Sequence, residues 1–212
     1  MGHLRGAFRA VLRFVASVLM VSGALLVLDA TATLVWQEPI SAVIASTGQS
    51  ALEGQLSELP SGGGDLAAGA SALARRAERG RAVGRITMPT LGRSYVIVQG
   101  VGTSALRKGP GHYSGTAFPG QGRTVAIAGH RTTYMAPFRT VNRLRRTQPV
   151  VLEMPYGRLT YRVEKTRIVP PTATEVTRDV GYDRLVLTAC HPLYSAAERI
   201  VVFARLERAE PR

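Results

Sequence analysis

The chain has 212 residues, 45% of them hydrophobic, enough for one cored domain with an appendage or for two small domains. Its 27 Lys+Arg against 14 Asp+Glu give a net charge of +13, a balance that suits an anionic membrane or wall surface. Scattered arginines and the absence of an aromatic-interleaved basic motif exclude nucleic acid as a partner, and one cysteine with four histidines excludes both an internal disulfide and the usual zinc-ligand spacings.

Residues 1–13 carry Arg5, Arg9 and Arg13 ahead of a long apolar run. Residues 14–36 as one helix would be about 34 Å long, enough to cross a bilayer core. The three arginines put the N-terminal end in the cytoplasm and Trp36 at the outer interface. Asp29 costs roughly 2.5–3.5 kcal/mol at a bilayer centre on insertion scales, and less past the middle, where it snorkels. Two alternatives stay open: a cleaved signal, with Ala30-Thr31-Ala32 as a small-residue cleavage site, and a buried core helix. With a span or a signal, the remainder of the chain works outside the cytoplasm.

Residues 37–83 read as a stalk or linker. A short helix is predicted over 39–52, the glycines of LPSGGGD (59–65) deny regular structure, and 67–79 has helical spacing. The function expected of this segment is reach and tethering.

From about residue 84 to 212 the texture changes to short runs of Val, Ile, Leu and Tyr separated by Gly and Pro. Strands are predicted over 85–88, 94–99, 124–128, 149–154, 159–169, 184–188 and 199–206, with a turn at Tyr156-Gly157 joining the fourth and fifth in a hairpin. So many short strands with little helix argue a mainly β fold closed, or nearly closed, into a barrel. Residues 102–122 read as an ordered loop with at most one helical turn, and His112 within it as a histidine bonded to nearby loop backbone.

Three residues at strand ends carry chemistry. TVAIAGH (124–130) delivers His130 at a strand tip, LVLTAC (185–190) ends in Cys190, and Arg199 opens the last strand beyond a loop holding Pro192 and Ser195. A thiol is mostly protonated at neutral pH, and the thiolate is the nucleophile. An imidazole takes that proton and later protonates an amine leaving group. A guanidinium is permanently charged and donates to an oxyanion. His191 adjoins Cys190, but successive side chains on a strand point to opposite faces, and Pro192 keeps His191 extended. No acidic third member stands out: Glu198 alternates away from Arg199, and Asp183 lies well upstream of Cys190.

GHR at 129–131, the T-x-C element at Thr188–Cys190, and Arg199 nine residues on, in that order, resemble the sortases. These are membrane-anchored cysteine transpeptidases of Gram-positive bacteria. The resemblance covers roughly 84–206. RKGPGHYSGTAFPG and LTACHPLYSAAER look most like the class E branch of actinobacteria, with class D the nearer alternative. The resemblance implies an eight-stranded sortase-type β-barrel behind an N-terminal transmembrane helix and stalk. It implies cleavage between Thr and Gly of a C-terminal sorting signal, Leu-Ala-x-Thr-Gly or Leu-Pro-x-Thr-Gly, through a thioacyl intermediate. A cell-wall precursor amine then accepts the protein. The partners implied are surface proteins bearing such a signal, that amine, and the membrane crossed once. By the same resemblance His130 is acid/base, Cys190 nucleophile and Arg199 substrate and oxyanion ligand.

Ala189 stands where many relatives have threonine, and only a tuning effect is expected. No acidic cluster like the calcium site of some class A members is present, so no metal or cofactor is implied; only Glu153 and Glu164 lie in the middle region. From Arg85 on, 20 Lys+Arg against 8 Asp+Glu suit an anionic wall. Two other readings stay open: a thiol hydrolase using the same three residues with water as acceptor, and an anchored binding module in which Cys190 is structural.

Overall fold

The computed structural model describes residues 2–36, 39–60 and 64–212. Residues 37–38, at the predicted start of the stalk, and 61–63, in the glycine-rich stretch, lie outside those described. The chain divides into two compact units, Met1–Pro39 and Ile40–Arg212.

The first unit is one helix, α1 (Gly2–Trp36). Within it Ala7–Ala32 is long and apolar enough to cross a membrane. Its large apolar side chains are exposed, Phe14, Leu19, Leu25 and Leu28 among them.

The second unit is built on an eight-stranded closed barrel. Its strands are β1 (Ala82–Met88), β2 (Arg93–Gln99), β3 (Gly111–His112), β4 (Thr124–Ala128), β5 (Pro149–Met154), β6 (Gly157–Val169), β7 (Arg184–His191) and β8 (Glu198–Pro211). They close in the order β1-β2-β3-β4-β7-β8-β6-β5, with β2–β3 and β4–β7 parallel and the other pairs antiparallel. The strand missing from the sequence reading is β3. It is two residues long, too short for any period, and it forms inside the Gly/Pro-rich connection next to a helical turn, α4 (Thr103–Leu106). The β5–β6 turn is Pro155–Tyr156, with Met154 opposite Gly157, so Gly157 belongs to the strand rather than to the turn.

Strand parity sorts the apolar residues into one interior cluster and outer-face clusters, one of them Ala82, Val96 and Val98 with Leu52 and Ala105. Leu185, Leu187 and Ala189 of β7, Val125 and Ile127 of β4, and Ile200, Val202 and Ala204 of β8 face the barrel interior. Val186, Ala126, Val201 and Phe203 alternate with them and form a second cluster on the outer face, under Val176 and Ala173 of the β6–β7 connection.

Two helices of the expected stalk lie on the barrel. α2 (Pro39–Ser57) buries Ala45 and Leu52. Gln49 donates to Val96 O at 3.0 Å and Lys108 O at 2.8 Å and accepts from Val96 N at 2.8 Å. Gln55 accepts from Ala82 N at 3.1 Å, and Glu53 pairs with Arg85. α3 (Leu66–Arg76) starts on an Asp65 cap, whose carboxylate accepts from Ala67 N at 2.9 Å, a standard way to satisfy a helix's first free N–H groups. Its Ala70 and Leu73 join the interior cluster, and a Cβ added at Gly69 would lie 2.4 Å from Tyr156 Cβ. The two helices therefore carry packing contacts that the sequence reading did not give them.

Candidate active site

β4 and β7 run parallel, with Ala128 opposite Thr188 and Gly129 N donating to Thr188 O at 3.0 Å. Carried two residues past the last paired position, Ala128, that register would set His130 level with Cys190. β7 and β8 run antiparallel, and Cys190 is the direct partner of Arg199. Partners in either kind of pair share a face. Cys190 has the parity of Val186 and Thr188, so thiol, imidazole and guanidinium lie together on the outer face, where the second apolar cluster ends. The pairing puts Cys190 beside Arg199, the continued register brings His130 to the same face, and each of the three is half-buried. β7 extends through His191, so Cys190 and Arg199 sit inside the ladder and not beyond its end.

Two backbone bonds hold His130. Gly129 is tied to Thr188, and Phe138 N donates to His130 O at 2.9 Å. Gly129 faces inward over Phe138, and a Cβ there would lie 2.6 Å from Phe138 Cδ2. The chain between them folds back through three consecutive left-handed residues, Tyr134, Met135 and Ala136, with φ of 51, 60 and 41°. Such conformations cost energy for non-glycine residues, and surrounding packing must hold them. Ala136 and Phe138 are fully buried, and Tyr134 N donates to Ser41 Oγ of α2 at 3.2 Å. The Tyr134 ring lies against the imidazole, centroids 5.2 Å apart, with the Arg107 guanidinium 5.7 Å over the same ring. His130 Nε2 is buried with no hydrogen-bond partner among the described residues, and burial holds the His130 pKa below the ordinary 6.5.

Arg199 Nη1 donates to Ala196 O and Glu198 O, both at 2.9 Å. This folds the β7–β8 connection onto the guanidinium and leaves its Nε and Nη2 donors for an incoming oxygen. Asp183 accepts from Gly120 N at 3.1 Å and Gly122 N at 3.0 Å, where β7 begins. Seven residues of strand, about 23 Å, separate it from the thiol. Burial raises the Asp183 pKa against those two bonds. His112 is buried, its Nδ1 2.8 Å from Gln99 Oε1 and its Nε2 2.9 Å from Ala117 O, so it serves the β2–β3–β4 connection. Glu153 and Glu164 form surface ion pairs, with Arg158 at 3.1 Å and Arg205 at 3.3 Å.

Sequence reasoning missed three neighbours of the site. Tyr113 Oη lies 3.1 Å from Thr188 Oγ1, two residues before the thiol. Tyr134 covers His130, and nothing in RTTYMAP announces its left-handed backbone. Arg131 has the parity opposite to His130 and reaches behind Cys190; strand alternation could have found it.

The chain is thus a closed β-barrel protein that carries Cys190 and Arg199 side by side on its outer face. A Sortase domain model matches residues 86–207, and the chain belongs to the sortase family. It is 30% identical over 132 residues to Sortase D of Bacillus subtilis, covering 60% of this chain and 65% of that one. It is 26% identical over 153 residues to Sortase SrtE1 of Streptomyces coelicolor, covering 64% and 43%. The chain thus spans less than two thirds of the length of either relative. Among solved structures, the SrtF sortase from Corynebacterium diphtheriae superposes with a TM-score of 0.60 at 27% identity, covering 64% of this chain and 89% of that one. Sortase E from Streptomyces avermitilis gives 0.57 at 32%, covering 63% and 93%.

Proposed function

We propose that the chain is a membrane-anchored cysteine transpeptidase. It cleaves a C-terminal sorting signal of Leu-Ala-x-Thr-Gly or Leu-Pro-x-Thr-Gly type between Thr and Gly and transfers the protein to a cell-wall amine. The observation that carries this reading is the sharing of one outer face by His130, Cys190 and Arg199, beside an outer-face apolar cluster.

In this reading the Cys190 sulfur attacks the threonine carbonyl carbon. Its proton goes to His130, and the charge growing on the carbonyl oxygen is met by Nε and Nη2 of Arg199. His130 enters as the neutral base that its burial favours. It then gives the proton to the departing glycine nitrogen as the C–N bond breaks, leaving a thioester on Cys190. The incoming amine loses a proton to His130, attacks the thioester carbon and expels the thiolate, which recovers the proton. Arg5, Arg9 and Arg13 keep the N-terminal flank of the apolar segment cytoplasmic, so the barrel acts on the outer side, on proteins arriving through the membrane.

The test uses the full chain in detergent with a Leu-Ala-x-Thr-Gly peptide, its Leu-Pro counterpart and an oligoglycine amine, read by mass spectrometry. Expected are cleavage at Thr-Gly, an acyl adduct on Cys190 and a ligated product, all absent in Cys190→Ala. Arg199→Ala should slow adduct formation by roughly 10²–10³-fold, the cost of losing an oxyanion donor. Cleavage without ligation would favour the hydrolase. No adduct with either peptide on folded protein would return Cys190 to a structural role.

A further inference from the structure

Arg131 is 4% exposed, and its guanidinium lies behind the thiol-bearing strand. Nη1 donates to Cys190 O at 3.2 Å and to His191 Nδ1 at 3.1 Å. Nη2 donates to Asn142 Oδ1 at 3.1 Å and to Arg139 O at 3.3 Å, and Nε to Arg139 O at 3.4 Å. One side chain therefore ties the Cys190 peptide, the following imidazole and the 139–142 segment together. Because an arginine only donates, His191 Nδ1 is the acceptor, and the neutral ring carries its proton on Nε2.

All of these acceptors are uncharged. Among the described residues no carboxylate pairs with Arg131, although the chain forms ion pairs at Arg85, Arg123, Arg158, Arg162, Arg205 and Arg208. A buried cation without a counter-ion is costly, and proteins almost always pair it. The neighbouring Arg139 adds like charge. The group beside Arg131 that turns negative during thiol chemistry is Cys190.

We propose that Arg131 is a positioning residue for Cys190 whose unpaired buried charge favours the thiolate, so that the ionised sulfur is held from behind by Arg131 and from the outer face by Arg199 and His130. The charged and titratable groups around this centre are His130 at the end of β4, Glu198 and Arg199 on β8, His191 on β7 opposite Glu198, Tyr113 beside Thr188, and Arg131, Tyr134 and Arg139 on the segment after His130; among the described residues Glu198 forms no ion pair with Arg131. This rests on Cys190 being the nucleophile of the proposed function, and it adds a group that touches neither substrate nor sulfur.

The test is the pH profile of Cys190 alkylation by iodoacetamide on the full chain in detergent; Cys190 is the only cysteine, so labelling is site-specific. Asn142→Asp keeps the shape and the hydrogen bond but hands Arg131 a carboxylate. Arg131→Gln removes the charge outright, and Arg131→Lys keeps it without the fork. Both Asn142→Asp and Arg131→Gln should move the profile about one pH unit higher and slow alkylation at pH 7 about tenfold, at the modest end of what one nearby opposite charge does to an ionisable group. Arg131→Lys should stay within about threefold of wild type, as a retained charge requires. If Arg131 is only a clamp, Lys and Gln behave alike and Asn142→Asp matches wild type, which overturns the proposal. Should Arg131→Gln fail to fold, the Asn142→Asp profile decides alone. Alkylation needs neither peptide nor amine, so its outcome is independent of whether wild type cleaves a sorting signal.

Discussion

Gln49 of α2 pairs with Val96 of β2 as a neighbouring strand would, donating to its carbonyl at 3.0 Å and accepting from its amide at 2.8 Å. Val96 needs this partner because β3 reaches only Val98 and Gln99, which leaves the next backbone groups of β2 unpaired. A buried amide or carbonyl without a partner costs on the order of 1–3 kcal/mol. Gln49→Ala should therefore destabilise the barrel by about 2 kcal/mol, seen as a lower melting temperature of the full chain in detergent. An unchanged melting temperature would mean that water replaces the amide freely.

Gly129→Ala brings a methyl to 2.6 Å from the Phe138 ring, directly beneath His130. Overpacking of this kind costs about 1–3 kcal/mol. The variant should lose stability and peptide-cleavage kcat/KM together, and a second change, Phe138→Leu, should restore both in part. Restored stability with no return of activity would show that His130 does not depend on the packing under it.

Tyr134→Ala uncovers the imidazole whose pKa burial now depresses. A base whose pKa lies below 6.5 keeps working as pH falls past that value, so the acid limb of kcat/KM for wild type should lie below pH 6.5. In Tyr134→Ala it should move up toward 6.5 as water reaches the ring. Superimposable limbs would assign the depression to other neighbours.

His112 is also held below its ordinary pKa, by burial that outweighs its bond to Ala117. The folded chain then binds fewer protons there than the unfolded one. The stabilisation is full above pH 6.5 and is lost as pH falls from 6.5 toward the folded value. Between pH 7 and pH 5.5 the melting temperature of wild type should fall more than that of His112→Gln. Comparing the two proteins at each pH cancels Asp183, whose raised pKa acts with the opposite sign. Parallel curves would remove His112 from the acid response.

The positions of His130, Cys190 and Arg199 were legible in the sequence because a two-residue period fixes both which strands exist and which face a residue takes. The same alternation separated His191 from the thiol. It could not reveal β3, whose two residues have no period, nor the docking of α2, which rests on side-chain amides completing a barrel. The left-handed run at Tyr134–Ala136 is imposed by packing around Phe138 and Ser41, against the preference of those residues. Strand alternation could have placed Arg131 behind Cys190, but not the lack of a carboxylate beside it among the described residues, which composition does not display.

In β7 each residue toward the thiol is assigned alternately to core and working face, Leu187 and Ala189 inward, Thr188 and Cys190 outward. A slip of one residue against β8 would carry Cys190 into the core and expose Leu187 and Ala189 in its place. The apolar face that drives folding therefore proofreads the centre: a molecule that has closed its barrel has already aligned sulfur with guanidinium, and one that has not cannot present a reactive thiol on the outside by accident.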